Sequence, residues 1–255
     1  MTWLEERFGL AGRTALVTGA RTGIGRASAL ALAEAGADLV LWGREAADLE
    51  DVAAEARALG RVVRTVGADL SDPSAVEGTA ADVLIETEVD VLVNNAGTIR
   101  RADAAETSFE DWRAVLSTNL DSAFLLARAF GGPMTERGSG TIVNIASLLS
   151  FQGGIRVPAY AASKHAVAGL TKALANEWAA SGVTVNAVAP GYVVTDNTEA
   201  LRADPEREPA IRSRIPAGRW AEVEDIVGAV VFLASPAAAY VNGYVLVVDG
   251  GWLAR

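Results

Sequence analysis

The sequence contains no cysteine and only one histidine, His165, in 255 residues. The absence of cysteine excludes disulfides, thiolate nucleophiles and cysteine metal ligands. A single histidine also excludes any metal site that needs two imidazoles, so we expect no bound metal. The chemistry of this chain must therefore come from hydroxyl, phenol, amine, amide or carboxyl groups.

Positive charge is also scarce, since 22 lysines and arginines face 32 aspartates and glutamates, giving a formal net charge of −10. Such a balance argues against nucleic acid or an anionic membrane surface as a partner. The sequence has no apolar run of membrane-spanning length, and residues 1–10 are too charged for a signal peptide. We therefore expect a cytoplasmic protein in which an anionic ligand is held by local arginines.

The apolar pattern alternates between short and long segments along the whole chain. Strand-like runs occur near residues 14–17, 39–42, 62–66, 89–93, 141–145, 183–188 and 244–248, and helical patterns separate them. There are no repeats or low-complexity linkers, and 51% of the residues are hydrophobic. This alternation predicts an α/β fold, a doubly wound parallel sheet of the Rossmann-like type, with residues 1–255 forming a single domain.

A glycine-rich segment at residues 18–25, TGARTGIG, follows the first predicted strand and opens a helical pattern. Glycines allow a tight turn and a close approach to a pyrophosphate, whose charge suits the free amides of a helix N-terminus. The spacing is Gly-x-x-x-Gly-x-Gly, which alone is weak evidence. Its position between a strand and a helix near the start of the chain makes a dinucleotide site the better interpretation.

The end of the second predicted strand bears on the choice of cofactor. An acidic residue at this point would bind the ribose 2′-hydroxyl of NAD, whereas an arginine accommodates the 2′-phosphate of NADP. The sequence has Gly43 and then Arg44 there, and Arg21 in the glycine-rich segment offers a second positive charge. These residues favour NADP over NAD, the alternative being that Arg44 is only a solvated surface residue.

Tyr160 and Lys164 lie four residues apart, shortly after Pro158, a residue suited to the first turn of a helix. That spacing puts both side chains on one helical face, where an ammonium favours the phenolate. We therefore expect Lys164 to lower the pKa of Tyr160, so that the phenol serves as a proton carrier. Ser147 follows the predicted strand at residues 141–145, at the edge where open α/β sheets bind ligands. Because Tyr-x-x-x-Lys often occurs by chance, these residues gain weight only with their neighbours.

In order and spacing, these motifs resemble the short-chain dehydrogenase/reductase family over essentially the whole chain, with Asn119 in the middle of a helical pattern at residues 109–130. The resemblance implies an NAD(P)-dependent oxidoreductase acting on CH–OH groups. It implies Tyr160 as acid/base, with Lys164 lowering its pKa and binding the nicotinamide ribose. Ser147 would polarise the substrate oxygen, and Asn119 would hold a proton-relay water. The implied cofactor-binding residues are Gly19, Arg21, Thr22, Gly23, Ile24, Gly25, Arg44, Asp69, Leu70, Asn95, Ala96, Gly97, Tyr160, Lys164, Pro190, Gly191, Val193 and Thr195.

A closer resemblance to the sugar-acid members of that family rests on residues 99–104, 149–158, 189–204, 214–220 and 240–255. It implies hydride transfer between NAD(P) and a secondary alcohol or ketone of a sugar acid of the gluconate, 2-deoxygluconate or 2-dehydro-3-deoxygluconate type. Three alternatives remain open at this point: a 3-oxoacyl-thioester reductase on the same scaffold, a nucleotide-sensing protein without turnover, and a structural oligomer.

A sugar acid has a carboxylate, and arginine is the side chain that binds carboxylates in a paired geometry. The candidates are Arg100, Arg156 and Arg219, with Gln152, Tyr192 and Asn197 as partners for hydroxyl groups. Arg101 is expected to point away from Arg100 if that segment is extended. The charged stretch at residues 192–220 is predicted to be a substrate lid.

The helical pattern at residues 158–180 has two apolar stripes, one of small residues and one of larger ones. Two apolar faces imply two packing partners, namely the sheet and the same helix of another subunit. We therefore expect a homotetramer.

Overall fold

The computed structural model describes residues 2–254. Its strands are β1 (Thr14–Thr18), β2 (Asp38–Gly43), β3 (Val63–Gly67), β4 (Val91–Asn94), β5 (Gly140–Ile145), β6 (Val183–Pro190) and β7 (Val245–Val248). Its helices are α1 (Trp3–Phe8), α2 (Gly23–Glu34), α3 (Glu50–Ala58), α4 (Pro73–Glu86), α5 (Phe109–Leu116), α6 (Ser122–Arg137), α7 (Pro158–Trp178), α8 (Glu199–Arg202), α9 (Arg207–Arg212) and α10 (Glu224–Ala234).

The seven strands form one sheet in the order β3-β2-β1-β4-β5-β6-β7, and all neighbouring pairs are parallel. The predicted doubly wound α/β domain is therefore confirmed. Because all strands run the same way, their carboxyl ends and the loops that follow them share one edge of the sheet. We call this edge the carboxyl edge.

Hydrophobic residues cover both faces of the sheet, which explains why its strands are continuous apolar runs. Along β1, Ala15 and Val17 belong to one buried cluster, whereas Leu16 belongs to the other. The first cluster includes Leu32 of α2, and the second includes Leu126 of α6. The helices that follow β1 and β4 consequently pack on opposite faces.

Two features differ from the expectations. Helix α1 was not predicted, because none of its residues is buried and the apolar period that marks a helix is absent. A capping box between Thr2 and Glu5 defines its start instead. The single helix expected at residues 109–130 is three segments, since a π turn at Ser117–Asp121 separates α5 from α6.

The connection from β6 to α10 contains the short helices α8 and α9 and passes over the carboxyl edge. Val193 forms an isolated parallel bridge with Ala221, which brings the two ends of this connection together. Ile211, Ile215 and Trp220 pack with Trp252 in a separate buried cluster. Within residues 2–254, no helix combines the length and the apolar character needed to cross a membrane.

Candidate active site

The π turn after α5 places Asn119 in the interior, where it is 3% exposed. Its Oδ1 accepts a hydrogen bond from the Thr98 amide at 2.7 Å, and its Nδ2 donates to the Thr98 carbonyl at 3.0 Å. The second Nδ2 hydrogen goes to Ser163 Oγ at 3.1 Å. Both amide hydrogens are therefore used, which satisfies a buried group that would otherwise be costly. Such π turns occur frequently at functional sites.

Helix α7 begins at Pro158 and presents Tyr160 and Lys164 at the carboxyl edge, beside the end of β5. Lys164 is 4% exposed, and its Nζ donates to the Ile145 carbonyl at 2.6 Å. This Nζ lies 5.6 Å from the centroid of the Tyr160 ring. Ser147 follows β5 directly, and its hydroxyl accepts a hydrogen bond from the Leu149 amide at 3.1 Å. The strand end and the helix start thus bring these three predicted residues together.

Ser163 was not predicted, and it connects Asn119 to the helix that carries Tyr160. Its hydroxyl is completely buried, donates to the Tyr160 carbonyl at 2.8 Å and accepts from Asn119. A serine one residue before Lys164 gave no signal in the sequence, because a short polar residue in a helix usually faces solvent. Here the contact with the π turn determines its role.

The electrostatics of the pair differ from the expectation that Lys164 lowers the pKa of Tyr160. Burial raises the pKa of Tyr160 above its usual value, while a hydrogen bond with Ser147 and the charge of Arg101 act in the opposite direction. Burial also lowers the pKa of Lys164 to about 8. Desolvation disfavours the charged form of both groups, so in the chain alone it outweighs their mutual attraction.

The glycine-rich loop between β1 and α2 is shaped by close backbone contacts. Gly19 has φ +65°, and a Cβ there would lie 3.0 Å from the Ala96 Cα. A Cβ at Gly25 would lie 2.2 Å from the Gly19 carbonyl oxygen. Thr22 is the N-cap of α2 but makes no side-chain capping hydrogen bond. The first amides of α2 are therefore free of a side-chain cap, which fits the pyrophosphate of a dinucleotide.

The loop after β4 packs beside the glycine-rich loop. Thr18 Oγ1 accepts hydrogen bonds from the amides of Asn95 and Ala96, both at 3.0 Å, and Asn95 Nδ2 donates to the Thr18 carbonyl at 2.9 Å. A Cβ at Gly97 would lie 3.4 Å from Asn119 Oδ1 and 3.8 Å from Lys164 Nζ. The backbone at Gly97 thus passes close to the catalytic candidates, as a flat ligand requires.

The other predicted cofactor residues also follow strand ends. Arg21 and Thr22 are exposed, whereas Gly23 and Ile24 are partly buried in the first turn of α2. Pro190 ends β6, and the Gly191 amide donates to the Val248 carbonyl at 2.8 Å. A Cβ at Gly23 would lie 3.4 Å from Thr195 Cγ2, so the connection after β6 lies against the glycine-rich loop. Buried residues at this edge are Leu70 and Val193.

Arg44 follows β2, and its side chain is 79% exposed. Its Nε lies 3.7 Å from Asp69 Oδ2, a weak pairing at the end of the neighbouring strand β3. The Ser71 amide and hydroxyl hold the pKa of Asp69 below its usual value, and the charge of Arg44 adds to this effect. The guanidinium therefore remains accessible at the edge where the adenosine half of a dinucleotide binds in this type of sheet.

The structure pairs each of the three arginines predicted to bind a carboxylate with an acidic residue. Arg100 Nε lies 3.6 Å from Asp111, and Arg156 Nε lies 3.0 Å from Asp103. Arg219 makes two contacts with Asp225 at 2.5 and 2.8 Å. Arg156 and Arg219 thus have close carboxylate partners, whereas the Arg100 pairing is about as weak as that of Arg44.

The residues predicted to bind hydroxyl groups have partners of their own. Gln152 Oε1 accepts a hydrogen bond from Trp252 Nε1 at 3.2 Å. The Tyr192 ring packs between Trp220 and Trp252, with centroid distances of 5.2 and 4.8 Å. The Asn197 carbonyl accepts a hydrogen bond at 2.9 Å from Arg101 Nη2, and Arg101 was not among the arginines predicted to bind a carboxylate.

Arg101 extends across the site rather than away from it. Arg101 lies in the loop after β4, and its side chain reaches Asn197 in the loop after β6. Because β5 lies between β4 and β6 in the sheet, this side chain bridges the loops on either side of the end of β5, where Ser147 lies. Burial raises the pKa of Tyr160, and the charge of Arg101 opposes this rise, in agreement with this position. The alternation argument that excluded Arg101 applies to strands, and residues 95–103 do not form one.

The comparisons with known proteins agree with this geometry. A family model described as enoyl-(acyl carrier protein) reductase matches residues 19–253. A 2-dehydro-3-deoxy-D-gluconate 5-dehydrogenase of Bacillus subtilis (strain 168) is 52% identical over 255 residues, which is 100% of both chains. The chain belongs to the short-chain dehydrogenase/reductase family. The predicted family and the closer likeness to its sugar-acid members are thus confirmed.

Two crystal structures of other short-chain dehydrogenase/reductases are similar throughout. One, from Beutenbergia cavernae with NADP bound at low occupancy, is 59% identical with a TM-score of 0.95, and the match covers 98% of this chain and 100% of that one. The other is a gluconate 5-dehydrogenase from Burkholderia cenocepacia J2315 in complex with NADP and tartrate. It is 38% identical with a TM-score of 0.95, and the match covers 98% of this chain and 99% of that one.

Lys164 should make the stability of the protein depend on pH. The folded-state pKa of Lys164 is about 8, below the ordinary value of 10.5. The charged amine therefore lowers the free energy of unfolding at every pH at which it must be carried into the folded state. The unfolded chain binds more protons than the folded one between these values, and stability should rise with pH by up to about 3 kcal/mol. We expect urea unfolding at pH 7 to 10 to show this rise in the wild type and not in Lys164→Met.

The other lysine of the sequence, Lys172, is exposed and provides the matched control. Lys172→Met should retain the pH dependence of the wild type. Parallel stability curves for the wild type and Lys164→Met would show that the buried amine keeps an ordinary pKa.

Proposed function

We propose that this chain is an NADP-dependent dehydrogenase that interconverts a secondary alcohol and a ketone on a six-carbon sugar acid of the gluconate type. The observation that carries the proposal is the convergence of Ser147, Tyr160, Lys164 and Asn119 at the ends of the central strands. The relatives named above support the substrate class. A non-catalytic role is the weaker reading, because a protein without turnover has no need to keep all four groups together.

NADP, when bound, would supply the hydride acceptor for this reaction, and the residues of the chain would orient the substrate and move its proton. Tyr160, as the phenolate, takes the hydroxyl proton from the substrate, and Ser147 donates a hydrogen bond to the same oxygen. Lys164 lies close enough to stabilise the phenolate, and its contact with Ile145 fixes the amine beside it. Asn119 would hold the water that carries the proton onward.

The NADP preference rests on the end of β2. Gly43 leaves no carboxylate to repel a 2′-phosphate, and the exposed Arg44 stands beside it, with Arg21 exposed in the glycine-rich loop. Relatives crystallised with NADP support the same preference. The free amides at the start of α2 would hold the pyrophosphate.

Residues 192–220 are proposed to cover the substrate. Three contacts support this role: Thr195 lies against the glycine-rich loop, Arg202 Nη2 donates to the Thr195 carbonyl at 3.4 Å, and Asn197 accepts from Arg101.

A homotetramer is also part of the proposal, because α7 leaves the small residues Gly169 and Ala173 exposed while Val167 and Leu174 are buried. We propose a cytoplasmic location, where an intracellular pyridine nucleotide pool supplies NADP.

The catalytic assignment is tested by Tyr160→Phe, which removes the phenol hydroxyl and keeps the ring. Loss of a positioned acid/base typically lowers turnover by about 10²- to 10⁴-fold, so we expect kcat to fall by that factor while NADP binding is retained. Tyr240→Phe, at a fully exposed position, is the control. Gluconate, 2-dehydro-3-deoxygluconate and an acetoacetyl thioester should be assayed side by side, since a preference for the thioester would favour the acyl-reductase alternative. Near-normal turnover in Tyr160→Phe would refute the assignment.

The cofactor assignment is tested by Arg44→Ala. If the guanidinium binds the 2′-phosphate, the Michaelis constant for NADP should rise about tenfold or more, a change of about 1.4 kcal/mol, while that for NAD changes little. Arg57→Ala, at an exposed arginine of α3, is the control and should affect neither cofactor. Equal effects of Arg44→Ala on NADP and NAD would show that Arg44 is only a surface residue.

The carboxylate of the sugar acid is proposed to bind Arg101. Within residues 2–254, no acidic side chain lies within 4.0 Å of the Arg101 guanidinium. The Arg101 side chain also bridges the loops on either side of the end of β5. Arg207 of α9 is close enough to lower the pKa of Arg101, with burial the larger cause. A bound anion would relieve this repulsion.

Arg101→Met should raise the Michaelis constant for gluconate at least tenfold, about 1.4 kcal/mol, and leave NADP binding intact. Arg100→Met decides between the neighbouring arginines. A larger effect of Arg100→Met would assign the carboxylate to Arg100, one of the three arginines named from the sequence, and normal binding by both variants would favour an uncharged substrate.

A further inference from the structure

Arg156 has an unusual backbone conformation for its residue type. Among residues 2–254 it is the one non-glycine residue with positive φ, at 63°. A side chain with a Cβ disfavours this left-handed region, and such residues persist where surrounding contacts impose the conformation, often beside ligand sites. Arg156 lies in the loop between Ser147 and Tyr160, two residues before α7 begins.

Two contacts from Arg156 reach the loop that carries Arg101. The Arg156 carbonyl accepts a hydrogen bond from the Ala102 amide at 3.1 Å, and Arg156 Nε lies 3.0 Å from Asp103 Oδ1. Both partners immediately follow Arg101 in the chain. The loop after β4 is thereby fastened to the loop that leads into α7.

The loop that contains Arg156 is anchored at the end that leads into α7, whereas Ile155, just before Arg156, is 77% exposed. A Cβ at Gly154 would lie 2.6 Å from Val157 Cγ2 and 2.7 Å from Leu149 Cδ1, and Val157 is 5% exposed. Pro158 then begins α7, which carries Tyr160. Arg156 is thus joined directly to a buried residue and to the helix that carries Tyr160, and its contacts with Ala102 and Asp103 connect this anchored end to the Arg101 loop.

We propose that Arg156 is a positioning residue, whose contacts with Ala102 and Asp103 hold the Arg101 guanidinium at a fixed distance from Tyr160. A sugar acid needs such a fixed distance because its carboxylate would bind Arg101 while its reacting carbon lies beside Tyr160. This inference rests on the proposed function. It assigns the Arg156 guanidinium to Asp103 rather than to the substrate. A small displacement of a substrate-positioning group far from the chemistry is enough to weaken binding or turnover markedly.

Asp103→Asn separates this role from direct binding. The Asp103 side chain makes no capping hydrogen bond at the turn that follows it, so the substitution removes little besides the pair with Arg156. If Arg156 bound the carboxylate itself, releasing it from Asp103 would leave the Michaelis constant for gluconate unchanged or lower it. If Arg156 positions Arg101, the same substitution should raise that constant.

We expect Asp103→Asn and Arg156→Met each to raise the Michaelis constant for gluconate by about threefold to thirtyfold, with kcat changed less than twofold. The double variant should show no more than the larger single effect, because both substitutions remove one contact. The inhibition constant of tartrate, measured as a second carboxylate probe, should rise in parallel. The dissociation constant of NADP should stay at its wild-type value.

Glu50→Gln is the matched control, because it breaks the exposed pair with Arg57 on α3. That pair is 63% and 43% exposed, against 64% and 54% for Asp103 and Arg156. Neither pair should affect stability much, so a change in the Michaelis constant confined to the Asp103 pair reports positioning.

Two results would overturn the inference: an unchanged or lowered Michaelis constant in Asp103→Asn, or additive effects in the double variant. Failure of the wild type to oxidise any sugar acid would instead overturn the proposed function, and this inference with it. That failure is visible before any variant is made.

Discussion

The site depends on the reversal of winding between β1 and β4, the two neighbouring strands at the centre of the parallel sheet. The chain leaves β1 toward one face and β4 toward the other, since α2 and α6 pack in different buried clusters. The two loops therefore diverge and leave a crevice at the carboxyl edge. Thr18 and Asn95 hydrogen-bond across its base, so the glycine-rich loop and the loop after β4 form one surface. The predicted cofactor residues outside these two loops lie at or after the ends of β2, β3 and β6, or in α7.

Burial sets the chemical character of the site more than proximity does. Tyr160 and Lys164 are close together, yet desolvation favours the neutral form of each group. It raises the pKa of Tyr160 and lowers the pKa of Lys164. A buried polar framework surrounds them, in which Ser163 connects Asn119 to the backbone of Tyr160. A bound cofactor would add charge and remove water from the same space, and both changes would act on the protonation of Tyr160 and Lys164.

The sheet and the glycine-rich loop were predictable because local patterns encode them. Buried parallel strands are continuous apolar runs, and the strand–glycine–helix order at residues 18–25 is visible in the sequence. Arg101 and Ser163 were not predictable, because their roles arise from contacts between loops that are distant in sequence. Arg101 reaches Asn197 across 96 positions, and Ser163 meets Asn119 across 44. The prediction for Arg101 also assumed the two-residue alternation of a strand, and the irregular backbone at residues 95–103 does not have that alternation.

The acidic composition explains which arginines remain available for a ligand. With 32 acidic residues against 22 basic ones, several guanidiniums at the carboxyl edge find a carboxylate within the protein, as Arg100, Arg156 and Arg219 do. Arg101 instead contacts a main-chain carbonyl, which leaves its charge unmatched. An unmatched cation near another arginine is electrostatically unfavourable, and an anionic ligand relieves that cost. An acidic protein can therefore bind an anion without a basic surface, because a few arginines at one edge, Arg101 and Arg207 among them, have no carboxylate within 4.0 Å of their guanidiniums in residues 2–254.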